Sequence, residues 1–226
     1  MQMAWQPLWL TLKLALVTTC LLVFIGVPLA SWLAFTRLRL KPVFEALISL
    51  PLVLPPSVLG FYLLLAFSPK SWPGQLLDSW FDVQLVFTFQ GLVLASMLYS
   101  LPFMVQPIQS GLEGLSVSLK EASYTLGKSR LTTLFRVLLP NIKPALLTGI
   151  VLTFAHTIGE FGLVLMIGGN IAGETKVVSI AIYNEVDALR YDNARMYSLI
   201  LLILSFGILL MVYMLNKRIV KTGLGR

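Results

Sequence analysis

Four stretches of this sequence carry no charged side chain at all: residues 14–35, 46–69, 83–112 and 196–216. Each is at least as long as the roughly 20 residues a helix needs to cross a hydrocarbon layer about 30 Å thick. A fifth apolar run, 144–173, is interrupted by one acid, Glu160. No polar stripe of helical period runs through these segments, as it would in a surface helix of a soluble domain. Charged residues make up 12% of the chain, about half the roughly 25% of a soluble domain, so polar surface is too scarce to coat a water-soluble fold. A bilayer requires every backbone polar group to be paired within the protein. The expected class is therefore all-α: a polytopic membrane protein of about five transmembrane helices.

The spans fall at roughly 10–35, 46–68, 84–110, 143–168 and 195–216. The first is too long for the core of a cleaved signal peptide and has no basic residue before Lys13, so it is expected to remain as a span. Arg37, Arg39 and Lys41 follow it, which places the N-terminus outside and the first loop in the cytoplasm. On this topology Arg37, Arg39, Lys41, Lys120, Lys128, Arg130, Arg136, Lys143, Lys217, Arg218, Lys221 and Arg226 lie inside, which is 12 of the 17 basic residues. Lys13, Lys70, Lys176, Arg190 and Arg195 remain outside. The C-terminus is then cytoplasmic. The net charge of +7 is thus accounted for by orientation, without a nucleic-acid partner. Cys20 is the single cysteine and forms no internal disulfide. Two external loops are expected: 69–83, a compact turn with interfacial aromatics including Trp72, Trp80 and Phe81, and 169–194, with a short amphipathic helix near 176–190. No internal repeat is visible, so residues 1–226 read as one membrane domain without an appended soluble domain.

The cytoplasmic segment of about 111–142 carries the most information. Ser116 or Ser118 is a suitable N-cap, with Glu121 placed to complete a capping box from Ser118. A short helix carrying Leu119, Ala122 and Leu126 then stops at Gly127. Lys128, Arg130 and Arg136 flank a second short helix with Leu131, Leu134 and Phe135, and Pro140 and Pro144 open the next span. Two short helices and a turn between membrane spans make a surface suited to docking. No Gly-x-x-x-x-Gly-Lys-Ser/Thr phosphate loop is present; the nearest shape, residues 168–175, has no lysine at the required position.

Glu121-Ala122-Ser123, three residues, Gly127, nine residues, Val137, one residue, then Leu139-Pro140 closely resembles the EAA loop of ABC importer permeases. Ser123 and Val137 are mild departures from that pattern. The resemblance implies the type I ABC importer permease fold, with this loop seated on a separate ATP-hydrolysing subunit that uses ATP and Mg. No cofactor or metal is expected on the chain itself. Pro51-Leu52-Val53-Leu54-Pro55-Pro56, Gly159-Glu160-Phe161-Gly162 and the Gly169-to-Thr175 stretch look closest to molybdate permeases, with sulfate/thiosulfate and tungstate permeases as relatives. The resemblance implies a partner set of a second copy of the chain, two ATP-binding subunits and an external oxyanion-binding protein, all at the cell inner membrane. It also implies alternating access, driven by ATP through the docking loops.

Read from the residues alone, Pro51, Pro55 and Pro56 should break or kink the second span. That span then lines the route, or is a bent packing helix. Glu160 is an ionisable group inside an apolar run, but a carboxylate repels a dianion. It is expected to cap a helix break between Gly159 and Gly162, to form part of a gate, or to pair with His156 or a backbone donor. A metal site would need more ligands than His156 and Glu160. Ser57, Thr153 and Thr157 are hydroxyls available to the route, and no span holds a mid-depth Lys or Arg. A secondary transporter or channel is the competing reading; it calls for buried ionisable relays or repeats, where the sequence has one lone carboxylate.

Overall fold

The structure, a computed structural model, describes residues 4–81 and 84–223. Its first helix, α1, spans Gln6–Phe35, with Pro7 among its first residues, where a missing N–H costs least. The second expected span is divided into α2 (Lys41–Val53) and α3 (Pro56–Phe67), whose axes differ by 112°. The cause is local. A residue before proline is driven out of the helical region, and both Leu54 (ψ 135°) and Pro55 (ψ 137°) precede one. Pro51 lies within α2, as Pro28 does in α1 and Pro102 and Pro107 do in the later helix Phe89–Glu113. It is the adjacent pair, and not proline content, that turns the chain.

The expected turn at 69–83 instead contains a helix, α4 (Trp72–Phe81). Ser71 starts it by accepting from the Gly74 N–H at 3.1 Å, with Pro73 in the first turn. Trp72 is exposed; the side chains of Trp80 and Phe81 lie outside the described residues. The third span is α5 (Phe89–Glu113), capped by Thr88, which accepts from the Gly91 N–H. The candidate docking segment follows as α6 (Val117–Thr125), α7 (Arg130–Thr133), a π-turn over Leu134–Leu138 and α8 (Leu139–Asn141). The chain then turns by 84° into α9 (Lys143–Gly159). The fourth span breaks at Glu160–Phe161 before α10 (Gly162–Gly168). Helix α11 (Val178–Asp187) fills the second of the two loops expected outside, and α12 (Tyr191–Gly223) is the last span. Arg226 lies outside the described residues, as do the side chains of Lys217, Arg218 and Lys221.

Among the described residues, α1, α5 and the Tyr191–Met211 part of α12 are long and apolar enough to cross a membrane unbroken; counting each of the two bent helix pairs as one span gives up to five. The break expected in the second span falls at Leu54–Pro55, and the fourth span is interrupted at Glu160–Phe161, between Gly159 and Gly162.

Helix α5 is the spine. With α1 and α9 it encloses one apolar cluster containing Leu22, Leu33, Met104, Ile108 and Leu112. With α1, α10 and the start of α11 it encloses another, containing Leu14, Leu92, Leu163, Ile167 and Ile180. Close approach at α5–α9 depends on Gly149, where a Cβ would lie 3.0 Å from the Met104 carbonyl oxygen. Small residues at such crossings let lipid-embedded helices gain packing where the hydrophobic effect gives little. By contrast α2 has no buried residue, and α12 leaves Leu199, Leu202, Ile203 and Phe206 exposed.

Candidate functional site: a docking loop and a broken-helix groove

The candidate docking loop is built largely from local bonds. Ser116 occupies the N-cap of α6 but makes no side-chain cap bond; its hydroxyl pairs with that of Ser118. The expected capping box is absent because a helix capped at Ser116 has Leu119, not Glu121, at the reciprocal position. The C-terminal stop forms as expected. Gly127 has φ +70°, its N–H donates to the Tyr124 carbonyl at 2.9 Å, and the Lys128 N–H donates to the Ser123 carbonyl at 3.1 Å. These two bonds define a Schellman ending.

One face of α6 is turned inward and the other is left free. Ser123 is buried, its hydroxyl 2.8 Å from that of Thr133 at the end of α7. Lys120 sits 4.0 Å from the Phe35 ring centroid. Glu121 and Ala122 are exposed, as are Val117, Leu126, Leu131 and Phe135. Ser129 caps α7 by accepting from the Thr132 N–H. Val137 belongs to the π-turn, and Asn141 donates to its carbonyl at 2.7 Å. Leu139 and Pro140 then lead into the bend before α9. The Ser123–Thr133 staple and the Ser129 cap were missed in the sequence reading; the Ser-x-x-Thr spacing at 129–132 was a legible signal for the second.

The groove is built from distant parts of the chain. It has a volume of ≈ 620 Å³ and is lined by residues of α3, α5 and the broken fourth span. Pro56, Gly159, Glu160, Phe161 and Gly162 come together here, while Pro51 and Pro55 do not line it. The two breaks touch: a Cβ on Gly162 would lie 3.2 Å from the Pro56 Cβ. Among the described residues, no Lys or Arg lines the groove.

Glu160 is 5% exposed and tethered in two directions. Its Oε2 accepts from Ser96 Oγ on α5 at 2.9 Å, and its main-chain carbonyl accepts from Ser179 Oγ on α11 at 2.6 Å. Oε1 is buried without a hydrogen-bond partner among the described residues. Capping of the break is therefore not what the side chain does, since α10 has no side-chain cap bond. His156 does not pair with Glu160 either. Its Nδ1 lies 3.0 Å from Ser100 Oγ, and its ring stacks on Phe103 at 4.1 Å. Thr157 joins the same cluster at 3.1 Å from Ser100 and donates to the Thr153 carbonyl at 2.9 Å. Ser57 lines the groove. Ser96 and Ser100, one helical turn apart on α5, and Ser179 were not singled out by the sequence. The Gly169-to-Thr175 stretch acts as a staple: buried Thr175 donates to the Gly168 carbonyl at 2.6 Å and accepts from the Ile171 N–H.

Residues 26–221 match the family described as binding-protein-dependent transport system inner membrane component. Over 215 residues the chain is 46% identical to the molybdenum transport system permease protein ModB of Azotobacter vinelandii, covering 95% of this chain and 94% of that one. It is 36% identical over 182 residues to ModB of Escherichia coli K12, covering 79% and 80%. To the sulfate transport system permease protein CysT of Salmonella typhimurium it is 34% identical over 234 residues, covering 96% and 83%. Among solved structures, a chain of the inward-facing MetNI methionine ABC transporter superimposes with TM-score 0.73 at 17% identity, covering 96% of this chain and 95% of that one. A chain of a bacterial alginate ABC transporter with its substrate-bound periplasmic protein gives TM-score 0.78 at 18% identity, covering 97% and 80%. These likenesses establish the type I ABC importer permease fold. The chain belongs to the family of binding-protein-dependent transport system inner membrane components, the multi-pass permease subunits of ABC importers.

Proposed function

We propose that the chain is the molybdate-conducting permease subunit of an ABC importer, with residues 1–226 acting as one membrane domain. The observation that carries this reading is the 46% identity to the Azotobacter vinelandii molybdenum permease along 95% of the chain. Two copies pair, each docked on an ATP-binding subunit that consumes ATP and Mg, and an external binding protein delivers the oxyanion. The N-terminus is outside and the C-terminus cytoplasmic; the excess of Lys and Arg on the inner side supports this. The docking loop of about 111–142 receives the ATPase, with Glu121 and Ala122 facing it and Ser123, Gly127, Val137, Leu139 and Pro140 holding the loop in shape. The outward display of Glu121 and Ala122 on a helix with a fixed stop favours this assignment. Pro51, Pro55, Pro56, Gly159, Glu160, Phe161 and Gly162 shape the route and its gate. Weak passage contacts suffice there, because selectivity resides in the delivering protein and a tight anion site would hold the ion back.

The test is uptake of labelled molybdate by vesicles holding the chain, its ATPase and its binding protein, with sulfate and tungstate as competitors. ATP-dependent molybdate uptake that resists excess sulfate is expected. Equal displacement by sulfate would move the substrate to that of the CysT relatives. No ATP-dependent uptake of any of the three would overturn the oxyanion assignment.

A further inference from the structure

Helix α2 meets the spine differently from every span in the core. Three residues spaced one turn apart on α2, namely Lys41, Glu45 and Ser49, form rungs with Glu113, Gln109 and Gln106 on α5. Lys41 Nζ lies 2.8 Å from Glu113 Oε1 and 3.6 Å from Glu45 Oε1. Gln109 Nε2 donates to Glu45 Oε1 at 2.6 Å and to Glu113 Oε1 at 3.0 Å. Gln106 Nε2 donates to Ser49 Oγ at 2.9 Å. Apolar contact between α2 and the rest is slight: Ile48 reaches the inner cluster and Phe44 meets Trp32 edge to face at 5.1 Å.

The two ends of this ladder connect to the two sites described above. Glu113 is the last residue of α5, three positions before the N-cap of α6. At the other end α2 stops at the Leu54–Pro55 turn, after which Pro56 abuts Gly162 in the groove. Polar rungs suit a contact that must be made and remade. A hydrogen-bonded rung that water reaches can be exchanged for bonds to water at little net cost, whereas an interdigitated apolar seam forfeits its packing when it slides.

We infer that the Lys41–Glu113, Glu45–Gln109 and Ser49–Gln106 ladder is a clasp that transmits movement of the docking loop through α2, pivoting at Leu54–Pro55, to the groove. The inference rests on the assignment of 111–142 as the ATPase-docking loop, and deepens it by naming the residues that carry motion away from it. Glu113 and Lys41 act as positioning residues, since neither lines the groove.

The experiment uses the assembled permease–ATPase complex with its binding protein. Lys41→Ala and Glu113→Gln are each expected to lower ions transported per ATP hydrolysed about tenfold while the ATPase still co-purifies. The exchange Lys41→Glu with Glu113→Lys is expected to restore at least half of the coupling. Normal coupling in both single variants, loss of co-purification, or failure of the exchange to rescue would overturn the clasp. A second measurement is independent of the substrate. In a Cys20→Ser background, Ser49→Cys and Gln106→Cys are bridged by a short bis-methanethiosulfonate reagent, which links them through reducible disulfides. Bridging is expected to fall severalfold when the complex is trapped with ATP and vanadate, and the bridged complex to recover ATP turnover on reduction. Equal bridging in trapped and nucleotide-free complexes would overturn the inference, whichever oxyanion is carried.

Discussion

The proposed docking loop and the groove solve opposite problems. The loop holds a fixed shape while exposed: Gly127, Tyr124, Lys128 and Ser123 close its first helix within six residues of sequence, and Ser129 caps the next. The groove holds a broken helix while buried, and its anchors come from 64 and 19 residues away, at Ser96 and Ser179. A surface that must fit a partner is specified by short-range bonds that need nothing else in the fold. A break inside a membrane is tolerated only where neighbouring protein pairs the freed polar groups, so it needs contributions from across the chain. If this contrast is right, damage to the loop should be severe and confined to docking. Damage to the groove should affect passage and leave docking intact.

Gly127→Pro gives the largest expected effect. Proline holds φ near −65° and has no N–H, whereas Gly127 sits at φ +70° and donates to Tyr124. Both requirements fail together. The expected outcome is loss of ATPase co-purification by more than about tenfold, a cost of at least about 1.4 kcal/mol, with normal membrane insertion. Glu121→Lys, which reverses an exposed charge and leaves the turn intact, should weaken co-purification less. Gly127→Ala separates the two causes. A Cβ there meets nothing within 4 Å, so only the left-handed strain of about 1–2 kcal/mol is incurred. Full docking by Gly127→Pro would remove the loop from the docking assignment.

Glu160→Ala comes next. It strips the acceptor from buried Ser96 and the packing from the break, at about 1–3 kcal/mol for the unpaired hydroxyl. Transport is expected to fall about tenfold, with ATPase co-purification unchanged. Glu160→Gln keeps an acceptor for Ser96 and should retain most of the transport. A parallel loss of docking in Glu160→Ala would erase the proposed separation between the two regions.

The sequence was legible where structure is written locally. The uncharged runs gave the helices, and Pro55-Pro56 gave the sharpest bend, because each proline constrains the residue before it. Gly127 gave the helix stop because a positive φ at that position favours glycine. The break at Glu160 was legible as a site but not as a geometry. The candidate partner on the same helix face, His156, is taken by Ser100 and Phe103. The true partners are serines, common residues whose roles arise only when α5 and α11 pack beside the break. Helix α4 was lost because its aromatic, proline and glycine content reads as a turn, although Ser71-Trp72-Pro73 is itself a helix start. The α2–α5 ladder escaped for the same reason as the serines: Lys41 reads as an orientation signal until α5 places Glu113 against it.

The smallest expected effect tests the α11 anchor of the groove. Ser179 lies in α11, and the C-terminal end of that helix is held to α12 through Glu185. The Glu185 carboxylate accepts from Asn193 Nδ2 at 3.0 Å and from Arg190 Nε at 2.8 Å. The Asn193 hydrogen bond, with Arg190 adding to it, pulls its pKa below the ordinary carboxylate value. A carboxyl group whose folded pKa is depressed contributes stability that is fully present above the unfolded pKa of about 4.3 and is lost as pH falls through the folded value. Amide exchange across 178–193, corrected for its intrinsic pH dependence, should therefore be steady from pH 8 to about pH 5 and quicken modestly towards pH 3. Glu185→Gln should show no such step, because an amide has no proton to gain over that range. Arg190 is mostly exposed and its pairing is screened by salt, so the Asn193→Ala variant should reduce the step more than added salt does. A step that survives Glu185→Gln would mean that another acid holds this end of α11, and that the α11 support of the groove has been placed on the wrong residue.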